Sequence, residues 1–250
     1  MQERAISVGE QRERAILYRA ELFKRIRQVR PSTLIGILEA VRGNPYAEGN
    51  LNGIVNAAGR LQDVLRILKC DPNSNIDFNL LEGLNILEIG CGHPLYTSNN
   101  IFNTRNPWTP IIAGIYGANS YGLDIGSNPY AHEISVQEVA STINIAPESF
   151  DPYYHIVGDA ITLDIKDFNG VEFDYIGSQS LFDPSVLNRP DYEDLAVELG
   201  NRLVPVLKNN GIYISDYDVY NKKAGTLNYM GTSRDVISAI ASTQNNIQQY

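Results

Sequence analysis

Five short apolar runs between residues 80 and 220 constrain the fold more than any other feature of the chain. Each run has five or six residues and stops at or just before a glycine or an acidic residue, which is typical of strands buried on both faces of a sheet. A helical stripe of leucines and valines separates the fourth run from the fifth. Strands that alternate with helices predict an α/β protein with a doubly wound, mostly parallel sheet. The runs are Asn85–Ile89, Ser120–Asp124, Tyr154–Asp159, Phe173–Gly177 and Gly211–Asp216.

The first 70 residues differ from the rest because their apolar residues repeat at helical spacing. This spacing predicts an amphipathic helix ending before Pro31, a second helix over Leu34–Val41 that Ser32 could cap, and a third ending near Cys70. We therefore divide the chain into an N-terminal helical extension or cap, residues 1–75, and a ligand-binding domain, residues 76–250. The first helix either caps the main domain or serves as a lid or a dimer contact.

Charge and cysteine content exclude several classes of protein. The chain has 20 Lys and Arg against 29 Asp and Glu, and the resulting net charge of -9 disfavours nucleic acid as a partner. No apolar stretch reaches the roughly 18 residues that a transmembrane helix needs, and the first residues lack the apolar core of a signal peptide. Two cysteines without a CxxC pair argue against a disulfide scaffold or a structural zinc site. We expect a cytoplasmic protein that binds neither membranes nor nucleic acid.

The segment Glu88–Gly92 follows the first predicted strand, at the edge where doubly wound sheets bind ligands. Its two glycines permit positive φ and let the backbone approach a ligand closely. A nicotinamide fingerprint would need a third glycine at position 95, where the chain has leucine, and an earlier acid than Asp124. The sequence also lacks a phosphate-binding P-loop motif and a G-x-S-x-G nucleophile elbow.

Further motifs follow the other predicted strands in a fixed order. The second run ends at Asp124, and the third ends at Asp159 followed by Ala160. The fourth contains Phe173-Asp174-Tyr175-Ile176 with polar residues beyond it, and a predicted helix ending in Leu207-Lys208-Asn209-Asn210-Gly211 precedes the fifth. Together with Glu88-Ile89-Gly90-Cys91-Gly92, this series resembles the class I S-adenosylmethionine-dependent methyltransferase family over roughly residues 80–220. The resemblance implies a Rossmann-like methyltransferase fold, S-adenosyl-L-methionine as cofactor and S-adenosylhomocysteine as product.

The same resemblance implies a role for each residue at the strand ends. Glu88 would contact the cofactor ammonium, Asp124 would accept two ribose hydroxyls, and Asp159 would accept the adenine amine. Each acid also has a structural alternative, namely a hydrogen-bond hub for Glu88, a helix cap for Asp124 and an Asx turn for Asp159. The predicted cofactor-binding residues are Glu88, Gly90, Cys91, Gly92, Asp124, Ile125, Asp159, Ala160 and Ser178.

No motif identifies the catalytic group or the methyl acceptor. His93 and Asp183 are candidate catalytic residues because each follows a strand end and could act on a proton. Gln179, Tyr96 and Tyr217 are candidate substrate-binding residues, and we predict no metal site. Methyl transfer can also proceed by proximity and orientation alone.

The chain departs from the family in two places. A long, asparagine-rich stretch separates the first two predicted strands, and the final hairpin of the family is expected to be shortened or missing after Asp216. The ordered motifs at the strand ends predict a methyltransferase for a small-molecule acceptor, which could form a homo-oligomer through its N-terminal helices. The alternatives are a catalytically silent member that works through protein contacts, and an aminopropyl or aminocarboxypropyl transferase on the same scaffold.

Overall fold

The N-terminal region is helical, as the sequence predicts. The structure, a computed structural model, describes residues 8–73, 75–92, 106–148, 150–160, 162, 168–178 and 192–247. The second helix is capped by Thr33 rather than Ser32, because the Thr33 hydroxyl accepts a hydrogen bond from the backbone N–H of Gly36 at 3.2 Å. The fourth helix ends where Cys70 adopts a left-handed conformation. These helices are α1 (Val8–Val29), α2 (Leu34–Val41), α3 (Pro45–Gly49) and α4 (Leu51–Lys69).

One mixed sheet organises the rest of the described chain. Its eight strands lie in the order β3-β4-β2-β1-β5-β6-β7-β8. The first six in this order are parallel, and β7 runs antiparallel to both of its neighbours, β6 and β8. The chain moves outward from β1 to one side and then returns to β5 on the other, as in a doubly wound sheet. The strands are β1 (Asn85–Ile89), β2 (Asn119–Asp124), β3 (His132–Ile134), β4 (Tyr154–Val157), β5 (Phe173–Ser178), β6 (Leu207–Ser215), β7 (Asp218–Lys223) and β8 (Thr226–Thr232).

Helices cover both faces of this sheet, so its strand residues alternate between two apolar cores. Ile86 packs into the core that contains α1 to α5, whereas its neighbour Leu87 packs into the core on the opposite face. Burial on both faces explains why the central strands read as continuous apolar runs. The N-terminal helices thus share one continuous core with a face of the sheet. The remaining helices are α5 (Trp108–Ile115), α6 (Val139–Thr142), α7 (Tyr192–Leu203) and α8 (Ser233–Ile247).

The expectation of a shortened C-terminal end is wrong. Strands β7 and β8 form a complete hairpin after β6, closed by a two-residue turn in which Ala224 and Gly225 both have positive φ. The residues Leu207–Gly211 also lie inside β6 rather than in a helix that precedes it. Sequence analysis missed the short strand β3 as well. Short strands at the edge of a sheet carry too few buried residues to show a clear apolar pattern.

Candidate ligand site at the carboxyl edge of the sheet

The loop after β1 is fastened to the end of β2 by backbone and side-chain hydrogen bonds. Gly90 and Gly92 have φ values of 64° and 87°, which favour glycine. The backbone N–H of Gly90 donates to the carbonyl oxygen of Leu123 at 2.8 Å, and the N–H of Gly92 donates to Oδ2 of Asp124 at 2.8 Å. The predicted glycine loop and the predicted acid of the second strand are therefore in direct contact.

Asp124 is half-buried and organises two loops at once. Its Oδ2 accepts from Gly92, and its Oδ1 accepts from the N–H of Gly126 at 3.2 Å, which is an Asx turn rather than a helix cap. Each carboxylate oxygen has two lone pairs, so a carboxylate can accept hydrogen bonds from several donors. The arrangement can hold a ligand that presents a pair of hydroxyl groups.

Cys91 fills the space beneath this loop, over the second strand. A Cβ atom at Gly122 of β2 would lie 2.7 Å from the Cys91 Sγ atom and 2.8 Å from the Tyr153 ring, so only glycine fits there. The thiol faces the sheet rather than open solvent. Its predicted contact with a cofactor would therefore involve its backbone.

Glu88 lies at the end of β1 and is paired within the protein. Its Oε1 accepts from Nη1 of Arg60 at 3.1 Å, and its Oε2 accepts from the hydroxyl of Tyr175 at 3.3 Å. The side chain of Glu88 is only 3% exposed, and burial raises the pKa of its carboxyl even though Arg60 acts in the opposite direction. A Cβ atom at Gly177 would overlap both Glu88 and Tyr175, so this glycine makes room for the pair.

The carboxyl ends of β2 and β4 carry apolar side chains beside acids. Ile125, which directly follows β2, is 75% exposed, and Val157, the last residue of β4, is 43% exposed, although both strands are largely buried. Asp159 is exposed close to them, and Ala160 is buried. Exposed apolar surface next to carboxylate acceptors suits a flat ligand with an apolar face and a polar edge.

The other predicted binding residues have different surroundings. Ser178 is fully buried, and its hydroxyl lies 3.1 Å from the Tyr213 hydroxyl and 3.4 Å from the Ser215 hydroxyl, within the sheet. Tyr217 is 78% exposed in the turn between β6 and β7, two strands away from β1. The predicted residues His93, Tyr96, Gln179 and Asp183 lie outside the described residues.

A buried polar network connects helix α1 to the loop that Asp124 organises. The guanidinium of Arg19 forms a two-pronged ion pair with the carboxylate of Asp151, which also accepts from Nδ2 of Asn128 at 2.9 Å. Asn128 also donates to the Tyr153 hydroxyl at 2.7 Å, and this hydroxyl lies 3.1 Å from Nδ1 of His155.

His155 completes this network, which we call the Arg19–His155 network, at the site itself. Its Nε2 lies 2.6 Å from the carbonyl oxygen of Gly126, the residue whose N–H is bound by Asp124. Arg19, Asn128, Asp151 and His155 are each at most 3% exposed. The position of the Asp124 loop is therefore tied to a charge on the N-terminal helix.

Sequence reasoning missed Arg60, Tyr175 and Asp151 as parts of this edge. Arg60 carried a usable signal because it lies on the mostly apolar stripe of α4 near Ala57 and Leu61, and a charge on such a stripe needs a partner. Asp151 gave no comparable signal, since it belongs to an irregular segment without periodicity.

Comparison with known proteins gives no family for this chain: it matches no protein-family model and no curated protein sequence. Among the described residues, no group of three or more His, Cys, Asp or Glu side chains could hold a metal ion. None of the described helices is both long and apolar enough to cross a lipid bilayer.

The two cysteines are expected to react with thiol reagents at very different rates. Burial, and then the nearby carboxylates of Asp124 and Glu88, hold the pKa of the Cys91 thiol well above its usual range, whereas Cys70 is exposed. Since the thiolate is the reactive form, a disulfide reagent at pH 8 should modify Cys91 at least about tenfold more slowly than Cys70. The pKa of the Cys91 thiol is higher in the folded protein than in the unfolded chain. Its contribution to the stability of the folded state is therefore fully present below about pH 8.5, and it is lost as the pH rises through the folded-state pKa.

Replacing one cysteine at a time shows which thiol gives the fast reaction and which gives the slow one. Cys91→Ser should leave only the fast reaction and Cys70→Ser only the slow one, while both thiols should react alike in urea. Equal rates in the folded protein would contradict the shielding of Cys91.

Proposed function

We propose that the chain is an S-adenosylmethionine-dependent methyltransferase with a Rossmann-like fold, acting on a small-molecule acceptor. The observation that carries the proposal is the contact between the glycine loop after β1 and Asp124 at the end of β2. This contact lies beside the point where the chain reverses direction across the sheet, between β1 and β5. Doubly wound sheets bind nucleotide-like ligands at that point.

The residues at the edge fit the chemistry of this cofactor. The glycine backbone leaves room for its amino-acid end, Asp124 can accept ribose hydroxyls, and Ile125 with Asp159 offers an apolar face and an acceptor for adenine. The cofactor supplies an electrophilic methyl group on a sulfonium. What the protein contributes is binding, orientation of the acceptor in line with that methyl, and an acidic environment for positive charge.

The pairing of Glu88 also supports a second candidate, a fold that binds a ligand without turnover. Its carboxylate is already neutralised by Arg60, so a cofactor ammonium would have to share it with a guanidinium. In that case Glu88 positions the glycine loop rather than the ligand, and the protein acts through protein contacts.

Removing the Asp124 carboxylate should abolish most cofactor binding. We expect Asp124→Ala to weaken the affinity for S-adenosylhomocysteine by about tenfold to 100-fold, because hydrogen bonds to a charged group contribute about 1.5–3 kcal/mol. The matched control is Glu172→Gln, which removes a carboxylate at the opposite end of β5 and should leave the affinity unchanged. Titration calorimetry measures both, and an unaltered affinity for Asp124→Ala would show that the site is misplaced.

Thermal melts and product analysis separate the candidate functions. A ligand at about 100 times its Kd stabilises the native state by about 2.7 kcal/mol, which raises the melting temperature of a protein of this size by about 5–10 °C. Release of S-adenosylhomocysteine with an acceptor panel supports a methyltransferase, and release of methylthioadenosine supports an aminopropyl or aminocarboxypropyl transferase. Binding without either product supports the silent alternative.

A further inference from the structure

The outermost strand β8 is unusual because it lacks most of the features that protect the edge of a sheet. It is seven residues long, reads Thr-Leu-Asn-Tyr-Met-Gly-Thr, and contains no charged residue and no proline. Its side chains are largely exposed, including Tyr229 at 60% and Met230 at 42%. Its outer edge pairs with no other strand of the described chain.

The opposite edge of the same sheet shows the usual protection. Strand β3 has only three residues, and two of them are His132 and Glu133. Natural proteins use short strands, charges, prolines and bulges to prevent edge strands from pairing with other chains. The ladder with β7 shifts register at Met230, so the regular part of β8 is Thr226–Tyr229. This uncharged, unpaired stretch is therefore open to pairing with another strand.

The hairpin fixes which backbone groups point outward from β8. The two-residue turn Ala224–Gly225 makes Lys223 and Thr226 the first hydrogen-bonded pair with β7, and Asn228 opposite Asn221 the next. The residues between and after these pairs, Leu227 and Tyr229, direct their backbone N–H and C=O groups away from β7. They provide two outward donors and two outward acceptors.

We propose that β8 pairs antiparallel with β8 of a second copy of this chain, about a two-fold axis at Asn228. Leu227 of each copy then lies opposite Tyr229 of the other, and their backbones exchange four hydrogen bonds across the axis. Two eight-stranded sheets become one continuous sheet. This interface is distinct from the N-terminal helices, where the sequence suggested an oligomer.

Charge and side-chain chemistry favour a second copy in this orientation. The turn end of the hairpin carries Lys223, whereas the other end carries Asp218 and Asp235 with Arg234, a net charge of -1. Antiparallel pairing brings the positive end of one copy beside the negative end of the other, while the uncharged strand avoids repulsion along its length.

Aromatic packing extends in the same direction. The rings of Tyr213 and Tyr220 lie 5.8 Å apart, and those of Tyr220 and Tyr229 lie 5.4 Å apart, so a row of tyrosines runs from the core to the open edge. Pairing of Tyr229 with Leu227 of the second copy would cover the exposed end of this row.

The first test introduces either a positive or a negative charge at position 228, on the proposed two-fold axis. Sedimentation should give a dimer of twice 27.8 kDa for the unaltered chain. Asn228→Lys and Asn228→Asp should each weaken dimerisation at least about tenfold, because the substituted charges face each other, and an equimolar mixture should recover a heterodimer. Ile145→Lys is the matched control and should remain dimeric, because Ile145 is 57% exposed and lies beside β4, on the opposite side of the sheet.

A crosslink checks the register independently. Asn228→Cys in a Cys70→Ser background should form an intermolecular disulfide on mild oxidation, because opposed residues of an antiparallel pair bring their Cα atoms within bridging distance. Tyr217→Cys in the same background should not. A monomer at concentrations up to about 1 mM would overturn the proposal, and so would a dimer unaffected by Asn228→Lys.

Discussion

Replacing Asp151 with asparagine is expected to lower the free energy of unfolding by about 3–5 kcal/mol. Asp151 is fully buried, and its two carboxylate oxygens receive both prongs of the Arg19 guanidinium. Although burial alone would lower the pKa of Arg19, the charge of Asp151 and its hydrogen bonds raise it above its usual value, so the guanidinium stays charged. An amide at position 151 would leave that charge buried without compensation. Urea denaturation with linear extrapolation measures the change.

A surface pair provides the matched control for this replacement. Glu21 accepts from Arg25 one helical turn away, with its side chain 56% exposed, so Glu21→Gln should cost no more than about 0.5 kcal/mol. The double replacement Arg19→Met with Asp151→Leu should recover most of the lost stability, because it removes both charges together. If Asp151→Asn cost as little as Glu21→Gln, Arg19 would have to reach water in the folded protein.

Adding one methyl group at Gly114 is expected to destabilise the protein by about 1–3 kcal/mol or more. A Cβ atom there would overlap the carbonyl oxygen of Pro152, which is backbone and cannot rotate away. Helix α5 would have to move off the segment that carries Asp151, so the Gly114→Ala variant should also disturb the Arg19–His155 network. Thermal and urea unfolding measure the loss.

Gly59 offers the opposite result from the same substitution. It lies within α4, and a Cβ atom there would meet no other atom within 4 Å. Gly59→Ala should therefore stabilise the protein by about 0.5–1 kcal/mol through its higher helix propensity. Equal effects at the two glycines would contradict the close approach of α5 to Pro152.

The central strands were predictable because burial on both faces gives each of them a continuous apolar run in the sequence. Asn85–Ile89 is a strand with the predicted bounds, and the runs around Tyr121, Ile156 and Ile176 lie in strands with shifted ends. The hairpin of β7 and β8 escaped prediction for the opposite reason. Only Val219 among its residues is buried, and its ladder is interrupted by a bulge opposite Val219 and Tyr220.

The candidate site likewise has a part that was predictable from the sequence and a part that was not. The positions of Gly90, Gly92, Asp124 and Asp159 at strand ends followed from the order of runs and acids along the chain. The partners of the acids did not follow, because they come from distant segments: Arg60 reaches Glu88 from α4, and Arg19 reaches Asp151 from α1.

Local patterning in the sequence determined which segments of this protein are helices and core strands, because hydrophobic periodicity reports burial without reference to the rest of the chain. Only the tertiary structure decided which charges are paired, which strand closes the sheet and which edge stays open. Those features depend on the approach of residues far apart in the sequence, such as Arg19 and Asp151, whose separation along the chain leaves no periodic signal. The uncharged strand β8 became significant only when it emerged as the outermost strand.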